Sequence, residues 1–342
     1  VAIGRNALNA NTTANNNTAV GFCTLISNTT GCHNIAIGTQ TMDANTTGVR
    51  NIAIGHAAMG NSTTSNNSQA IGYSALSSQT TGCQNTAVGT SSLTANTTGS
   101  NNMAIGISSL FSNTEGSNNI AIGCGALINS TTANNNTAVG FRAMQLNVTG
   151  TCNVAVGALA LCKNTATANT AVGYSALCCN SSGSSNVAVG DKALMVSTTG
   201  DDNTALGRLA LCSNTTGSCN TAVGSEAVFK ATADGNVGVG YRALFQNLGG
   251  SHNASVGYQA LCSNTTGNSN IAMGCRALFT NTTGGSTVAL GVCALRSQTT
   301  GDSNIGVGER AGCGLTTGNG NIIIGQGAGQ GTLTGHCNVS VS

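Results

Sequence analysis

The sequence predicts an all-β protein in which one repeat array, residues 1–342, folds as a parallel β-solenoid of about twenty 17-residue coils. A glycine closes an AVG- or AIG-like word twenty times between positions 4 and 325, at intervals of 17 residues in seventeen cases and 16 in two. Turn-forming Asn, Thr, Ser and Gly recur once per period, and the 40% of hydrophobic residues keep a fixed phase. Seventeen residues interrupted by turns leave no room for a helix of ordinary length beside a strand, which indicates a solenoid.

We number each coil from the asparagine before the glycine-closed word, so that Asn169 is slot 1 and Gly173 is slot 5. The consensus is then N-T-A-V-G-Y-x-A-L-x-x-N-T-T-G-x-x. The apolar slots 2–4 and 7–10 predict two or three short strands per coil, and slots 12–15 predict a turn. Coils start near Asn17, Asn34, Asn51 and at each later period, and the chain, which starts and stops within a coil, is expected to be part of a longer protein.

The large aliphatic residues of slots 4 and 9 are predicted to form the core, and the alanines of slots 3 and 8 to permit close packing. Two large residues per coil make a thin core, because burying each contributes roughly 1.5–3 kcal/mol while ordering each backbone residue costs roughly 1–2 kcal/mol. We therefore expect the smooth alanine faces to pack against neighbouring chains in an oligomer of unspecified number. The two short coils, 153–168 and 220–235, should absorb their missing residue in an exposed corner loop near slots 15–17.

Slot 1 is asparagine in nearly every coil, and stacked amides can bond from rung to rung at the sheet spacing of about 4.8 Å. This predicts a structural asparagine ladder, with a row of ligand-binding amides as the alternative. The ladder residues are Asn17, Asn34, Asn51, Asn85, Asn102, Asn119, Asn136, Asn153, Asn169 and Asn186.

Composition excludes several functions. A net charge of +2 is too small for a nucleic-acid footprint, and the longest apolar runs are far shorter than a membrane span. Nine acidic residues and four histidines form no repeated acid–base pair, so no catalytic residues are expected. No CxxC pair or HxH spacing occurs, so neither a metal nor another cofactor is expected.

Slots 6 and 7 collect most of the charged and aromatic residues, which is where contact with a host-surface glycan or protein receptor would be sought. The alternative is a solvated corner that tolerates any side chain. The candidate contact residues are Tyr174, Tyr241, Arg242, Tyr258, Arg276 and Arg310.

The NTT turns carry two further hypotheses. As sequons they would place N-glycans in one column, although turn chemistry alone also explains them. As a threonine array, slots 13 and 14 suggest an ice-binding face, but adjacent threonines point to opposite sides and leave one outward file. The candidate glycosylation residues are Asn28, Asn45, Asn96, Asn147, Asn180, Asn214, Asn264 and Asn281.

The words NTAVGYSAL, NIAIG and NVAVG, each followed by an NTTG-type turn, resemble the head repeats of YadA-like trimeric autotransporter adhesins and related bacterial and viral tail-fibre repeats. The resemblance covers essentially the whole chain, although the unit is longer than the typical head repeat and carries fifteen cysteines. It implies a left-handed β-roll, a parallel homotrimer, and attachment at a cell or virion surface.

We therefore expect an extracellular spacer and attachment rod, on the order of 100 Å long for twenty rungs at about 4.8 Å each. The alternatives are an ice-binding β-solenoid and a glycosylated, self-assembling surface filament.

The fifteen cysteines avoid slots 3, 4, 8 and 9 and are predicted to lie at coil corners. They can serve as small hydrophobic free thiols, or as disulfides in an oxidising compartment.

One disulfide is predicted specifically, between Cys162 and Cys178 in slot 10 of consecutive coils. Stacked slots lie about 4.8 Å apart, within the Cα separation of roughly 4.4–6.8 Å that a disulfide accepts. Closing a loop of about 15 residues would contribute roughly 3 kcal/mol in the chain-entropy model. Non-reducing peptide mapping should recover the two cysteines in one linked peptide pair, and recovery of both in alkylated form would contradict the bond.

Overall fold

The computed structural model describes residues 1–331 and 334–342, which are all-β and contain no helix. Twenty-one short parallel strands form a β-solenoid of about twenty turns, in two compact units, Val1–Asn169 and Thr170–Ser342. The strands of the first unit are β1 Ala2–Ile3, β2 Thr18–Val20, β3 Ile35–Ile37, β4 Ile52–Ile54, β5 Gln69–Ile71, β6 Thr86–Val88, β7 Met103–Ile105, β8 Ile120–Ile122, β9 Thr137–Val139 and β10 Val154–Val156. Those of the second are β11 Thr170–Val172, β12 Val187–Val189, β13 Thr204–Leu206, β14 Thr221–Val223, β15 Val237–Val239, β16 Ala254–Val256, β17 Ile271–Met273, β18 Val288–Leu290, β19 Ile305–Val307, β20 Ile322–Ile324 and β21 Val339–Val341.

Within each unit, consecutive coils pair parallel and in register, slot on slot. Strands β3 and β4 align Ile35 with Ile52 and Ile37 with Ile54. The short coil 220–235 keeps the same register, because β14 and β15 still align slot 2 with slot 2. Its missing residue falls in the bend 231–235, where Thr232 and Asp234 are exposed. The expectation of an exposed corner loop is confirmed for this coil.

The prediction of two or three strands per coil is wrong, because only slots 2–4 form a strand. Slots 6–11 are a run of turns, and the residues at slots 7 and 9 have left-handed backbone, as in Cys23 (φ 54°) and Leu25 (φ 50°). This conformation places neighbouring side chains on the same side. Ala58 and Met59 are both fully buried, which a strand with alternating side chains could not achieve.

The core differs from the predicted one at slot 4. Slot 9 is buried, as expected, and Leu25 is fully inaccessible. The slot 3 alanines also point inward, so the slot 4 side chains on the same strands point outward, and Ile37 is 39% exposed. Nearly all the described alanines of slot 8 are likewise interior, so in that part of the chain the alanines of slots 3 and 8 do not form a face that could pack against another chain. The outward surface of each unit's sheet instead carries two columns of mostly β-branched residues, at slots 2 and 4, which we call the outer strand face.

The glycine of slot 5 is required on two grounds. Its φ lies between about +120° and +139°, which side-chain-bearing residues rarely adopt. A Cβ at Gly106 would also lie 2.7 Å from the carbonyl carbon and oxygen of Gly123 in the next coil. The stacked coils therefore approach each other through glycine backbone, which explains why the slot never varies between Gly4 and Gly325.

One exchange of core volume occurs near the end of the second unit. Slot 9 is Gly312 instead of a large aliphatic residue, while slot 3 of the next coil is Ile323 instead of alanine. A Cβ at Gly312 would lie 2.7 Å from Ile323 Cδ1 and 2.7 Å from Leu295 Cδ2, so these side chains fill the space. The interior volume is kept although both slots depart from the consensus.

The slot 5 glycines give a direct stability test in the full chain. Gly106→Ala should lower the free energy of unfolding by roughly 2–4 kcal/mol, because it adds both backbone strain and a backbone collision. Gly60→Ala is the matched control, since its new Cβ would meet its nearest atom at an ordinary 3.4 Å. Chemical denaturation followed by circular dichroism measures both variants. Equal, small effects would contradict the proposed role of slot 5.

Candidate functional site

The slot 1 asparagines form hydrogen-bonded columns inside each unit, and Ser68 and Thr287 take the place of asparagine in two coils. Asn17 Oδ1 accepts a hydrogen bond from the backbone N–H of Asn34 (2.9 Å), and Asn34 Nδ2 donates to the Gly48 carbonyl in its own coil (2.8 Å). The ten asparagines singled out from the sequence are all buried. Their amides therefore close and stack coils, and they do not face a ligand.

A second asparagine column lies at slot 12, where the sequence suggested glycan attachment. Asn28 Nδ2 donates to the Gly31 carbonyl (3.0 Å), and Asn45 Nδ2 donates to Asn28 Oδ1 (2.8 Å). An N-glycan would replace a hydrogen on this nitrogen with a bulky sugar, for which a fully buried amide has no room. Burial of these amides does not favour glycan attachment in the folded chain, and glycosylation stays a prediction. The buried residues are Asn28, Asn45, Asn96, Asn147, Asn180, Asn214, Asn264 and Asn281.

In the buried turns of 17-residue coils, asparagine at slot 12 goes with glycine at slot 15. A Cβ at Gly116 would lie 2.4 Å from Asn113 Oδ1 in the same turn. Two such coils carry a side chain at slot 15 and lack asparagine at slot 12, in the pairs Ser62 with Ser65 and Ser130 with Ala133. In the first coil, where Asn11 is exposed, Asn11 Nδ2 donates to the Ala14 carbonyl (3.2 Å).

The threonine file is a single exposed column on a bend. Thr29 at slot 13 uses its hydroxyl to donate to the Thr46 carbonyl of the next coil (3.1 Å). Thr30 at slot 14 is exposed, and both residues lie in a bend instead of a flat strand. The structure therefore leaves one outward-facing column of threonines as the candidate ice-binding surface.

The structure brings three of the six candidate contact residues together in the second unit. The rings of Tyr241 and Tyr258 stack at 5.4 Å between centroids, and the Arg242 guanidinium lies 5.2 Å from the Tyr241 ring. Arg242 also lies 5.1 Å from the ring of Phe245, which stacks on Phe229 at 5.2 Å. Tyr258 is 47% exposed. We call these five residues the aromatic cluster.

Glu226 anchors this cluster electrostatically. Its carboxylate accepts hydrogen bonds from Arg242 Nε and Arg208, each at 2.6 Å. The hydrogen bond from Arg242, followed by that from Arg208, lowers the pKa of Glu226 below its ordinary value. The charge of Arg242 is thus compensated within the protein.

The other three candidates are not part of the cluster, although the backbone N–H of Arg276 donates to the Tyr258 carbonyl (2.9 Å). Tyr174 has the Lys192 ammonium 6.0 Å from its ring, and the Arg276 guanidinium lies 5.7 Å from the Phe279 ring. Arg310 lines a cleft of about 330 Å³.

Sequence reasoning missed the contribution of slot 10 to this edge of the coil. Phe229, Phe245 and Phe279 occupy slot 10, and the last two lie beneath the slot 7 arginines of their own coils. The recurring spacing of three residues between the arginine and the phenylalanine is a sequence signal that could have indicated this contact. The turn geometry that makes the two slots neighbours was not predicted.

The cysteines lie mostly where the sequence placed them, at corners, but three slot 10 thiols are buried. Burial raises the pKa of the Cys212 and Cys262 thiols above the ordinary range. Cys162 lies in the first unit and Cys178 in the second, and the disulfide between them stays a prediction. Among the described residues, no group of three or more His, Cys, Asp or Glu could hold a metal ion. No helix in that part of the chain is long and apolar enough to span a membrane.

The sequence matches no family model and no curated protein. The resemblance to adhesin head repeats therefore stays an expectation from the repeat words.

The slot 12 column predicts opposite effects for two similar substitutions. Ser197 is buried with no hydrogen-bond partner for its Oγ among the described residues, and Gly200 occupies slot 15. Ser197→Asn should raise the free energy of unfolding by about 1 kcal/mol, because the new Nδ2 can donate a hydrogen bond to the Gly200 carbonyl.

Ser130→Asn is the matched control, because the Ala133 Cβ occupies the space that the new Oδ1 needs. It should destabilise the chain, and adding Ala133→Gly should restore or exceed wild-type stability. Denaturation curves of the four variants check this. Additive effects of Ser130→Asn and Ala133→Gly would contradict the coupling between the two slots.

Proposed function

We propose that the chain is a segment of a structural fibre at a cell or virion surface, which acts as a spacer and attachment rod. Its coils repeat one architecture, and the polar residues that recur at slots 1 and 12 mostly close and stack the coils. The observation that carries the proposal is the outer strand face, a regular apolar surface with nothing covering it in a single chain.

The outer strand face contains no charged residue, since slots 2 and 4 are filled almost entirely by Ile, Val, Thr, Leu and Met. Ile35, Ile37 and Ile71 are each 39% exposed. Two such residues per coil over about ten coils expose on the order of 1,000 Å² per unit, above the few hundred Å² typical of a monomer surface. Burying this area would supply the apolar stabilisation that the thin interior lacks.

A second copy of the same chain fits this face best, because only a partner with the same rung spacing meets both columns along their length. We infer a parallel homotrimer with chains in register, which is the assembly implied by the resemblance to adhesin head repeats, together with its left-handed β-roll. The interface is the outer strand face instead of the alanine faces expected from the sequence. The aromatic cluster at slots 6–10 lies outside the outer strand face and is the proposed contact surface for a host glycan or protein.

Assembly can be tested by sedimentation equilibrium and light scattering of the full chain. Wild type should have the mass of a trimer. Replacing Ile37 and Ile54 together by lysine should dissociate it, because two charges would be buried at each interface. Thr47→Lys with Thr64→Lys is the matched control, since both threonines are exposed in the same two coils at slot 14.

Circular dichroism should show the same coil structure in all of these proteins. A wild-type monomer at micromolar concentration would contradict the trimer. Inhibition of ice recrystallisation by such a monomer would establish the ice-binding alternative in its place.

A further inference from the structure

The cleft in the second unit is a gap in the surface between slots 7 and 10. Its volume is about 330 Å³, and its lining comprises Cys293, Arg296, Ser297, Arg310, Cys313 and Gln330. Cys293 and Arg310 are slot 7 residues of consecutive coils, whereas Arg296, Cys313 and Gln330 are slot 10 residues of three consecutive coils.

The slot 10 residue beside Arg310 is a cysteine, whereas two slot 7 arginines of earlier coils have a phenylalanine at that position. Arg242 lies 5.1 Å from the Phe245 ring, and Arg276 lies 5.7 Å from the Phe279 ring, in each case three residues along the same coil. Arg310 has Cys313 at the corresponding position. A thiol is much smaller than a phenyl ring, so the space that a ring fills elsewhere is left open beside Arg310.

The cleft also carries positive charge that no acidic residue of its described lining compensates. Two guanidinium groups line it, and none of the lining residues is acidic. In the described part of the chain neither Arg296 nor Arg310 forms an ion pair, in contrast to Arg208 and Arg242, which share Glu226. The neighbouring carboxylate, that of Glu309, accepts a hydrogen bond from Gln326 (3.3 Å).

We propose that this cleft binds a small ligand carrying an anionic group, of the size of one acidic sugar residue. The planar guanidinium fork matches a carboxylate or sulfate, to which it can donate two parallel hydrogen bonds. The Ser297 hydroxyl and the Gln330 amide offer further polar contacts to ligand hydroxyl groups. The cleft volume lies at the lower end of the range for small-molecule sites, which excludes a large ligand. The site does not depend on the fibre proposal, because it lies within one unit of one chain.

Binding can be measured by calorimetry on the full chain at low ionic strength, where screening is weakest. Glucuronate is the probe, glucose is its neutral match, and sodium sulfate tests whether an inorganic anion suffices. Glucuronate should bind and glucose should not. Binding of sulfate as tightly as glucuronate would assign the site to the anionic group alone, and weaker binding of sulfate would assign it to an acidic sugar.

Three variants test the location. Arg296→Gln and Arg310→Gln should each weaken glucuronate binding about tenfold or more, since each removes charge-assisted hydrogen bonds. Cys313→Phe keeps both arginines and introduces at slot 10 the side chain that Phe245 and Phe279 carry in other coils. It should abolish binding by filling the cleft. Arg142→Gln is the control, because Arg142 occupies slot 7 in the first unit. It should bind as wild type does.

The two thiols of the cleft provide a second readout that needs no variant. Bound glucuronate should slow alkylation of Cys293 and Cys313 by iodoacetamide, and should leave the exposed Cys124 and Cys337 unaffected. Peptide mass spectrometry measures all four rates. The proposal is overturned if wild type does not bind glucuronate or sulfate, or if the ligand protects no cleft thiol and the arginine variants bind normally.

Discussion

The fold depends on buried asparagine side chains that close each coil and join it to the next. A typical slot 1 amide spans a turn in its own coil through Nδ2 and accepts a hydrogen bond on Oδ1 from the backbone N–H of the next coil, as Asn34 and Asn51 show. A buried amide without these hydrogen-bond partners would lower the stability of the fold by roughly 1–3 kcal/mol. The two hydrogen bonds therefore favour both the closed turn and the slot-on-slot register of the stacked coils. With one large aliphatic residue per coil, apolar burial alone could not fix the register.

This polar interior determines what the surface carries. The inside of a coil is filled by two asparagines, two small residues and one Leu or Met, which leaves no room for the aliphatic residues of slot 4. They lie on the outside of the sheet, stacked in register from coil to coil, and create an apolar face suited to a partner of the same period. The usual expectation of apolar inside and polar outside is thus partly reversed, and this reversal supports self-assembly.

Periodicity made much of the fold predictable from the sequence. The coil boundaries, the parallel sheet and the asparagine column of slot 1 follow from a repeat that places like residues on like residues. The orientation within a coil did not follow, because the apolar run at slots 7–10 has the composition of a strand. Its left-handed residues, such as Leu25 with φ 50°, have no signature in a non-glycine side chain. For the same reason the sequence alone does not reveal that Asn28 and its equivalents in the NTT turns point inward.

The candidate contact residues, too, could be predicted from the repeat only in part. The sequence alone shows that slots 6 and 7 vary and carry most of the charges. It does not show that slot 10 side chains contact them, because this contact results from the turn geometry. That geometry makes slots 6, 7 and 10 a surface where residues can change without disturbing either asparagine column. The Phe245 ring at slot 10 lies under the Arg242 guanidinium, whereas Cys313 at the same slot lines the cleft beside Arg310. A regular scaffold can therefore carry a distinct binding surface in a few coils, because the interactions that hold the coils together lie at other slots.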